Sequence, residues 1–311
     1  MQVSIVLPCY NAERHLSRCL ASLFAQTHRP LELIAVDDGS SDRTAAQLEE
    51  AARSAPYPMR VIRQANAGAC AARNRGLEAA SGAYIQFMDA DDEIAPDKIQ
   101  RHLELALANT ACDLVVGSAR IMKPSGELEG LDILKPGSPD PWIDLAEHRM
   151  GGTPNNFWKR EAVLRAGAWD EAMRSSQEYD LMLRMLASGA RVCRDPEPRT
   201  TVHLQAGGSV STSDPAAKWR RYIALRLRII EHLKANSPDV DLAPFHQVLF
   251  DSIRTLYPFS PEEAVELYRA HLPRAFSPTA SSATGKGYLL LHSCLGFSMA
   301  NRVRGWLSGL R

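Results

Sequence analysis

Residues 3–42, "VSIVLPCYNAERHLSRCLASLFAQTHRPLELIAVDDGSSD", decide the fold, because they hold one complete turn of an alternating pattern. "VSIVLP" (3–8) is a short apolar run of buried-strand type. His15, Leu16, Cys19, Leu20, Leu23 and Phe24 then recur at helical spacing. "LELIAV" (31–36) is a second apolar run, and it ends in Asp-Gly turn chemistry with Ser and Asp residues able to cap a following helix.

The alternation continues outward. "MRVIRQ" (59–64) predicts a third strand, followed by a helix over roughly 69–80. "AYIQFM" (83–88) predicts a fourth, with Pro96 suited to the first turn of the next helix, and "DLVVGSARIM" (113–122) a fifth. Strands alternating with helices at this spacing imply a mostly parallel α/β sheet covered by helices on both faces. Residues 123–142, rich in Pro and Gly, are expected to be loop. Helical patterns return at 159–166 and 178–188, with "RVCR" (191–194) as a short strand after them. Past about residue 213 the pattern is helical only, closing with "GYLLLHSCLGFSMANRVRGWLSGLR" (287–311), an apolar helix with a basic end. Two domains are expected, 1–212 and a helical C-terminal extension over 213–311.

The chain has 311 residues, enough for this arrangement, and its 45% hydrophobic and 23% charged residues are those of a globular protein. Lys+Arg and Asp+Glu balance at 36 each, so no net charge draws the molecule to nucleic acid. The six cysteines are scattered without metal-type pairing, as expected of reduced thiols. The N-terminus lacks a basic region and an apolar run of signal-peptide length, and no stretch reaches the ~18 apolar residues of a spanning helix. A cytoplasmic protein is expected.

Ligands of an open parallel sheet bind at the carboxyl ends of its strands. Three polar clusters fall there: Pro8-Cys9-Tyr10-Asn11, Asp37-Asp38-Gly39-Ser40, and Asp89 to Asp92. The last, in "QFMDADDEI" (86–94), brings three carboxylates to one point, which raises their pKa values unless a cation sits among them. An EF-hand is excluded, because Ile94 and Gln100 occupy the positions that need Gly and Glu. No GxGxxG follows the first strand, which disfavours a dinucleotide fold.

Residues 3–44 together with "NAGACAARNRGLEAASGAYIQFMDADD" (66–92) resemble the inverting family 2 glycosyltransferases of GT-A fold. The resemblance runs from Val3 to about Asp92 and resumes more weakly over 150–210. It implies transfer of a sugar from a nucleotide-sugar, with a UDP-sugar expected, to a saccharide or lipid-linked acceptor in polysaccharide or glycan synthesis. Pro8, Tyr10, Asn11, Asp38, Arg73, Asp89 and Asp91 are the donor-binding candidates it implies. Tyr10 offers an aromatic face to a base, and Asp38 a carboxylate able to accept from its imide N–H, although turn chemistry explains Asp38 equally well. Asp89 and Asp91 form a DxD element: by resemblance Asp89 faces the ribose and Asp91 a divalent ion, Mn2+ or Mg2+, with His203 a further candidate ligand. Asp92 is expected to cap the helix near Pro96 or to support its neighbours.

Inversion needs a base for the acceptor hydroxyl. The resemblance places it in "SSQEYDLMLRML" (175–186), where Gln177-Glu178 stands in place of the commoner Glu-Asp. Glu178 is the candidate base, with Asp180 as alternative or helix-capping support. Trp169 and Asp170, in "GGTPNNFWKREAVLRAGAWDEAM" (151–173), are the implied acceptor-side residues. A nucleotidyltransferase would need a Gly-rich basic loop after the first strand, which "PCYNAERH" is not. A non-catalytic nucleotide-sugar-binding protein would have lost the DxD or Glu178, and both are present. The C-terminal helix suits an interfacial contact with a membrane, packing on the catalytic domain, or a homodimer contact.

Overall fold

The computed structural model describes residues 1–108, 112–132, 140–205 and 214–308. It divides into two compact units, Met1–Ser209 and Val210–Arg311. The expected boundary at 212 lies outside the described residues.

The first unit opens with β1 (Val3–Cys9), α1 (Leu16–Phe24), β2 (Leu31–Asp37), α2 (Thr44–Ser54), β3 (Met59–Arg63), α3 (Ala69–Ala79) and β4 (Tyr84–Phe87). These strands lie where the apolar runs predict, and β3, β2, β1 and β4 are neighbours in that order, all parallel. The two-residue period of β1 explains how it is covered. Val3, Ile5, Leu7 and Cys9 join Leu16, Cys19, Leu20 and Leu23 of α1 in one core, while Val6 faces α3. That second contact is close: a Cβ on Gly76 of α3 would stand 2.3 Å from Val6 Cγ1. Only glycine lets the helix lie this near the strand.

Continuing the chain are β5 (Glu93–Ile94), α4 (Lys98–Ala108), β6 (Cys112–Met122), β7 (Leu128–Asp132), α5 (Pro141–Ala146), β8 (Phe157–Lys159), α6 (Arg160–Arg165), α7 (Gln177–Ala187) and β9 (Arg191–His203). The full sheet order is β3-β2-β1-β4-β8-β6-β9-β5, with β7 on β6. It is mixed: β8 is antiparallel to both β4 and β6, while β6 and β9 are parallel. Two expectations are corrected here. Part of the segment expected to be loop, Leu128–Asp132, is a strand antiparallel to β6. The short strand at 191–194 runs on to His203, past Pro196 and Pro198, because register shifts at Gly117 to Ala119 of its partner absorb the prolines.

The chain passes from β1 outward to β2 and β3, then returns through α3 to β4 on the other side of β1. This reversal opens a crevice beyond the carboxyl ends of β1 and β4. The expected polar clusters stand at that edge.

The second unit contains α8 (Pro215–Asn236), α9 (Ala243–Leu256), α10 (Pro261–His271) and α11 (Lys286–Ser308). Its core is aromatic. Phe250 meets Tyr268, Phe276, Tyr288 and Phe297 at centroid distances of 5.6–6.2 Å, and Tyr268 stacks on Phe297 at 4.3 Å. The closing helix is not continuous, since Gly296 has φ 71° and breaks it between Leu295 and Phe297. Among the described residues no helix is long and apolar enough to cross a membrane. Cys9, Cys19, Cys70 and Cys112 are buried free thiols, Cys193 is half-buried, and Cys294 is exposed.

The Gly76 contact yields a stability test. Gly76→Ala should cost about 1–3 kcal/mol, the usual penalty of overpacking a tight contact. Gly130→Ala, on β7 with nothing within 4 Å of the added carbon, should be close to neutral. Thermal melts of the two variants check the contrast.

Candidate active site

At the carboxyl edge of β1 and β4 lies a cavity of about 310 Å³. Its lining includes Pro8, Tyr10, Asp38, Arg73 and Asp89, five of the donor-binding candidates, joined by Asn66, Gly68, Ala69 and Ala72. Tyr10 stands at the rim with 56% of its surface exposed, so one face is open to a planar ligand. Asn11, another donor candidate, lies outside this lining. With φ 48° its Oδ1 accepts from Ser41 N at 2.9 Å, and its own N–H donates to Ser40 Oγ, tying the loop after β1 to the loop after β2.

Asp38 is 3% exposed. Its carboxylate holds the segment leading into α3: Oδ1 accepts from Gln64 Nε2 at 2.8 Å and Ala67 N at 2.9 Å, and Oδ2 from Gly68 N at 2.8 Å. Turn chemistry within "DDGSSD" therefore belongs to Asp37, whose Oδ1 accepts from Ser40 N. A carboxylate offers about four lone-pair sites. Three of these sites on Asp38 are filled among the described residues, and Asp38 also lines the cavity.

The three carboxylates at the end of β4 have separate partners. Asp89 Oδ1 pairs with Arg73 Nη2 at 2.8 Å. Asp91 Oδ2 accepts from Gln205 Nε2 at 3.0 Å. Asp92 Oδ1 accepts from His203 N at 3.0 Å, so it anchors the end of β9 instead of capping α4. Burial first, then Asp89, pushes the Asp91 carboxyl above its ordinary range, and the same causes push the more deeply buried Asp92 further. His203 directs Nε2 to Glu93 Oε1 at 2.7 Å, and Glu93 also meets Arg18 Nε at 3.2 Å.

Among the described residues no three or more His, Cys, Asp or Glu side chains are grouped to hold a metal. Magnesium-type ions in phosphate chemistry need no such cage, since one or two carboxylates suffice when substrate oxygens supply the rest. Asp91, half-buried beside Asp89 and raised by it, is a carboxylate that a cation would relieve.

Arg73 connects this edge to the other half of the site. It is 6% exposed, its guanidinium lies 4.7 Å over the Trp169 ring, and Nη1 donates to Gln177 Oε1 at 2.8 Å. Gln177 opens α7, and Glu178 follows it in the first turn. Burial pushes the Glu178 carboxyl up, its own backbone N–H and then Arg73 draw it back, and Asp89 pushes it up again. Asp180 is differently placed: buried, it receives Arg184 Nε at 2.9 Å and Nη2 at 2.8 Å, and Arg184 also donates to Ala166 O. The pair lies within α7 and orients Arg184, whose bond to Ala166 O ties the helix to the turn after α6.

Trp169 is 2% exposed, packed against Phe87 at 5.1 Å and Trp158 at 5.9 Å, with Asn74 bonded to both its backbone N–H and its carbonyl. In this conformation it bears on the site through Arg73. Asp170 is exposed, and its Oδ1 accepts from Ala172 N at 3.0 Å. Sequence reasoning missed Gln177 as a partner of Arg73, Glu93 as the partner of His203, and Gln205 as that of Asp91. The run of small residues Gly68, Ala69 and Ala72 was a usable signal for a cavity wall, since larger side chains there would fill the space.

The chain is 42% identical over 106 residues to the uncharacterised glycosyltransferase YibD of Escherichia coli, covering 34% of this chain and 30% of that protein. It is 30% identical over 216 residues to the succinoglycan biosynthesis protein ExoO of Rhizobium meliloti, covering 66% of this chain and 61% of that one. The chain thus spans less than two thirds of these relatives' own length. Among solved structures, TarS 1–349 of S. aureus in complex with UDP-GlcNAc superposes with a TM-score of 0.64 at 17% identity, covering 96% of this chain and 81% of that one. The mannosyltransferase PcManGT of Pyrobaculum calidifontis, in complex with GDP-Man and Mn2+, gives 0.55 at 18% identity, covering 97% and 86%. Both likenesses concern the fold, which is of GT-A type. The model of glycosyl transferase family 2 matches residues 4–163, and the chain belongs to that family.

Proposed function

We propose that the protein transfers a sugar from a UDP-sugar to a hydroxyl of a saccharide or lipid-linked acceptor, with inversion, in polysaccharide synthesis. One observation carries this reading. A single buried guanidinium, that of Arg73, bonds both Asp89 of the DxD element and Gln177, the residue before the candidate base. Donor pocket and base thereby share one centre.

In this reading Tyr10 covers the base and Asp38 accepts its imide N–H with the remaining lone pair. Arg73 sets a positive charge opposite the diphosphate. Glu178 takes the proton of the acceptor hydroxyl as that oxygen bonds to the anomeric carbon and the bond from that carbon to the diphosphate oxygen breaks. A raised carboxyl suits the role, because a base whose pKa lies nearer the working pH drives proton transfer better. Asp91 would hold a divalent ion that neutralises the departing diphosphate, and His203, whose Nε2 is given to Glu93, would join it through Nδ1. Asp180 supports α7. Residues 1–212 form the donor-binding and catalytic domain in this reading, and residues 213–311 a helical region for acceptor, membrane-surface or oligomer contacts.

Glu178→Gln should lower kcat about a hundredfold or more while leaving UDP affinity nearly unchanged. Asp180→Asn should mainly lower Tm, because it breaks the ion pair with Arg184. Loss of turnover in Asp180→Asn with an active Glu178→Gln would reverse the assignment.

The pH profile follows with its sign. The active form of Glu178 is the carboxylate, so kcat/KM should fall as pH drops through its pKa. Because that pKa is raised, the acid limb should lie above the range of an ordinary glutamate, and Glu178→Gln should lack it. A limb at ordinary glutamate pH would contradict a base whose carboxyl is raised.

Calorimetric titration of UDP with manganese, then with EDTA, tests the ion. Affinity should fall in EDTA, where carboxylates and diphosphate repel one another unrelieved, and in Asp91→Ala, which removes the ion's protein ligand. Undiminished affinity would remove the ion from the mechanism. GDP run beside UDP decides the base.

A further inference from the structure

The geometry points to Gln177 as a charge-neutral positioning residue: its amide holds the Arg73 guanidinium in place without neutralising it, so that the positive charge stays available to the donor's diphosphate. The inference rests on the nucleotide-sugar reading above and goes beyond it by naming what sets the strength of diphosphate binding.

The amide's orientation is determined by its two neighbours. Arginine has donors only, so the atom facing Arg73 Nη1 at 2.8 Å must be Oε1. Nε2, at the other end, donates to Met173 O at 3.0 Å. The side chain is therefore a bridge between α3 and the turn that leads into α7, with each end satisfied. A glutamate would reach Arg73 equally well, but it would place its second oxygen against the Met173 carbonyl.

The charge balance makes the neutral amide matter. Around Arg73 the structure sets Asp89, paired at 2.8 Å, and Glu178, close enough for each to bear on the other's charge. One guanidinium thus already answers two carboxylates. A third carboxylate at position 177 would turn the cluster more negative just where a diphosphate of the same sign must approach. Arg73 is also buried, with Nε lacking a hydrogen-bond partner among the described residues, and buried charges are weakly screened by water and salt. A change of one unit here is felt strongly.

Gln177→Glu and Gln177→Met separate charge from shape. Both keep the length of the side chain; methionine loses the hydrogen bonds without adding charge, and glutamate adds charge. UDP is titrated calorimetrically in the presence of manganese, and uridine, which has no phosphate, by ligand-observed NMR; thermal melts accompany both. Gln177→Glu should weaken UDP about tenfold more than Gln177→Met does, while uridine affinity stays within about twofold across all three proteins, since charge acts on the phosphates alone. Equal losses of UDP in the two variants, or equal losses of UDP and uridine in Gln177→Glu, would reduce Gln177 to a structural prop and overturn the inference. If either variant melts below the assay temperature, the same comparison is made on wild type and Gln177→Asn. That shorter amide adds no charge, so there a UDP loss of tenfold or more overturns the inference and a smaller one upholds it. Wild-type protein that binds neither UDP nor GDP removes the nucleotide-sugar reading itself, an outcome distinct from any difference among the variants.

Discussion

One guanidinium organises the site. Arg73 leaves α3 nearly buried, lies over the face of Trp169, and divides its donors between Asp89 at the end of β4 and Gln177 at the start of α7. An arginine fork suits this better than an ammonium, because its planar donors can serve two acceptors while its face stacks on a ring. Such a charge is tolerated out of water only because it is paired. Losing Asp89 would leave the charge unpaired, and losing Gln177 would leave Nη1 without its acceptor, so Asp89 and the α7 terminus both serve the buried guanidinium.

The sheet makes that connection reachable. The reversal of strand order around β1 creates the crevice, and the tight seat of α3 over Val6, possible at Gly76, brings Arg73 to its edge. From the other side, the aromatic cluster of Phe87, Trp158 and Trp169 fixes the turn that leads toward α7. The Asp180–Arg184 pair then secures the helix itself. Glu178 inherits its position from these contacts, and its raised carboxyl from the burial they produce.

The parts of the fold that could be read from sequence are those whose signals are local. The four parallel strands at the N-terminal end are apolar runs bounded by turn residues, and the donor candidates other than Arg73 lie at their carboxyl ends. The antiparallel strands β7 and β8 and the two-residue β5 carry no such signal. Phe157–Lys159 is a strand because Tyr84 and Leu114 flank it, a relation no window of sequence contains. The Arg73–Gln177 bond joins residues 104 positions apart, and nothing near either one announces it. Asp38 was legible as a carboxylate at a strand end, yet its work in holding residues 64–68 was not. Trp169 stood out as an aromatic near the acceptor segment, and the structure gives its ring to Arg73 and the core.

The most direct measurement is steady-state kinetics of Arg73→Lys with a UDP-sugar donor. Lysine keeps the charge but cannot fork between Asp89 and Gln177. If Arg73 joins donor pocket and base, donor KM should rise and kcat should fall together, because α7 and Glu178 lose their tie to the donor edge. A rise in donor KM with kcat unchanged would show that Arg73 only binds the diphosphate, and would contradict the shared centre.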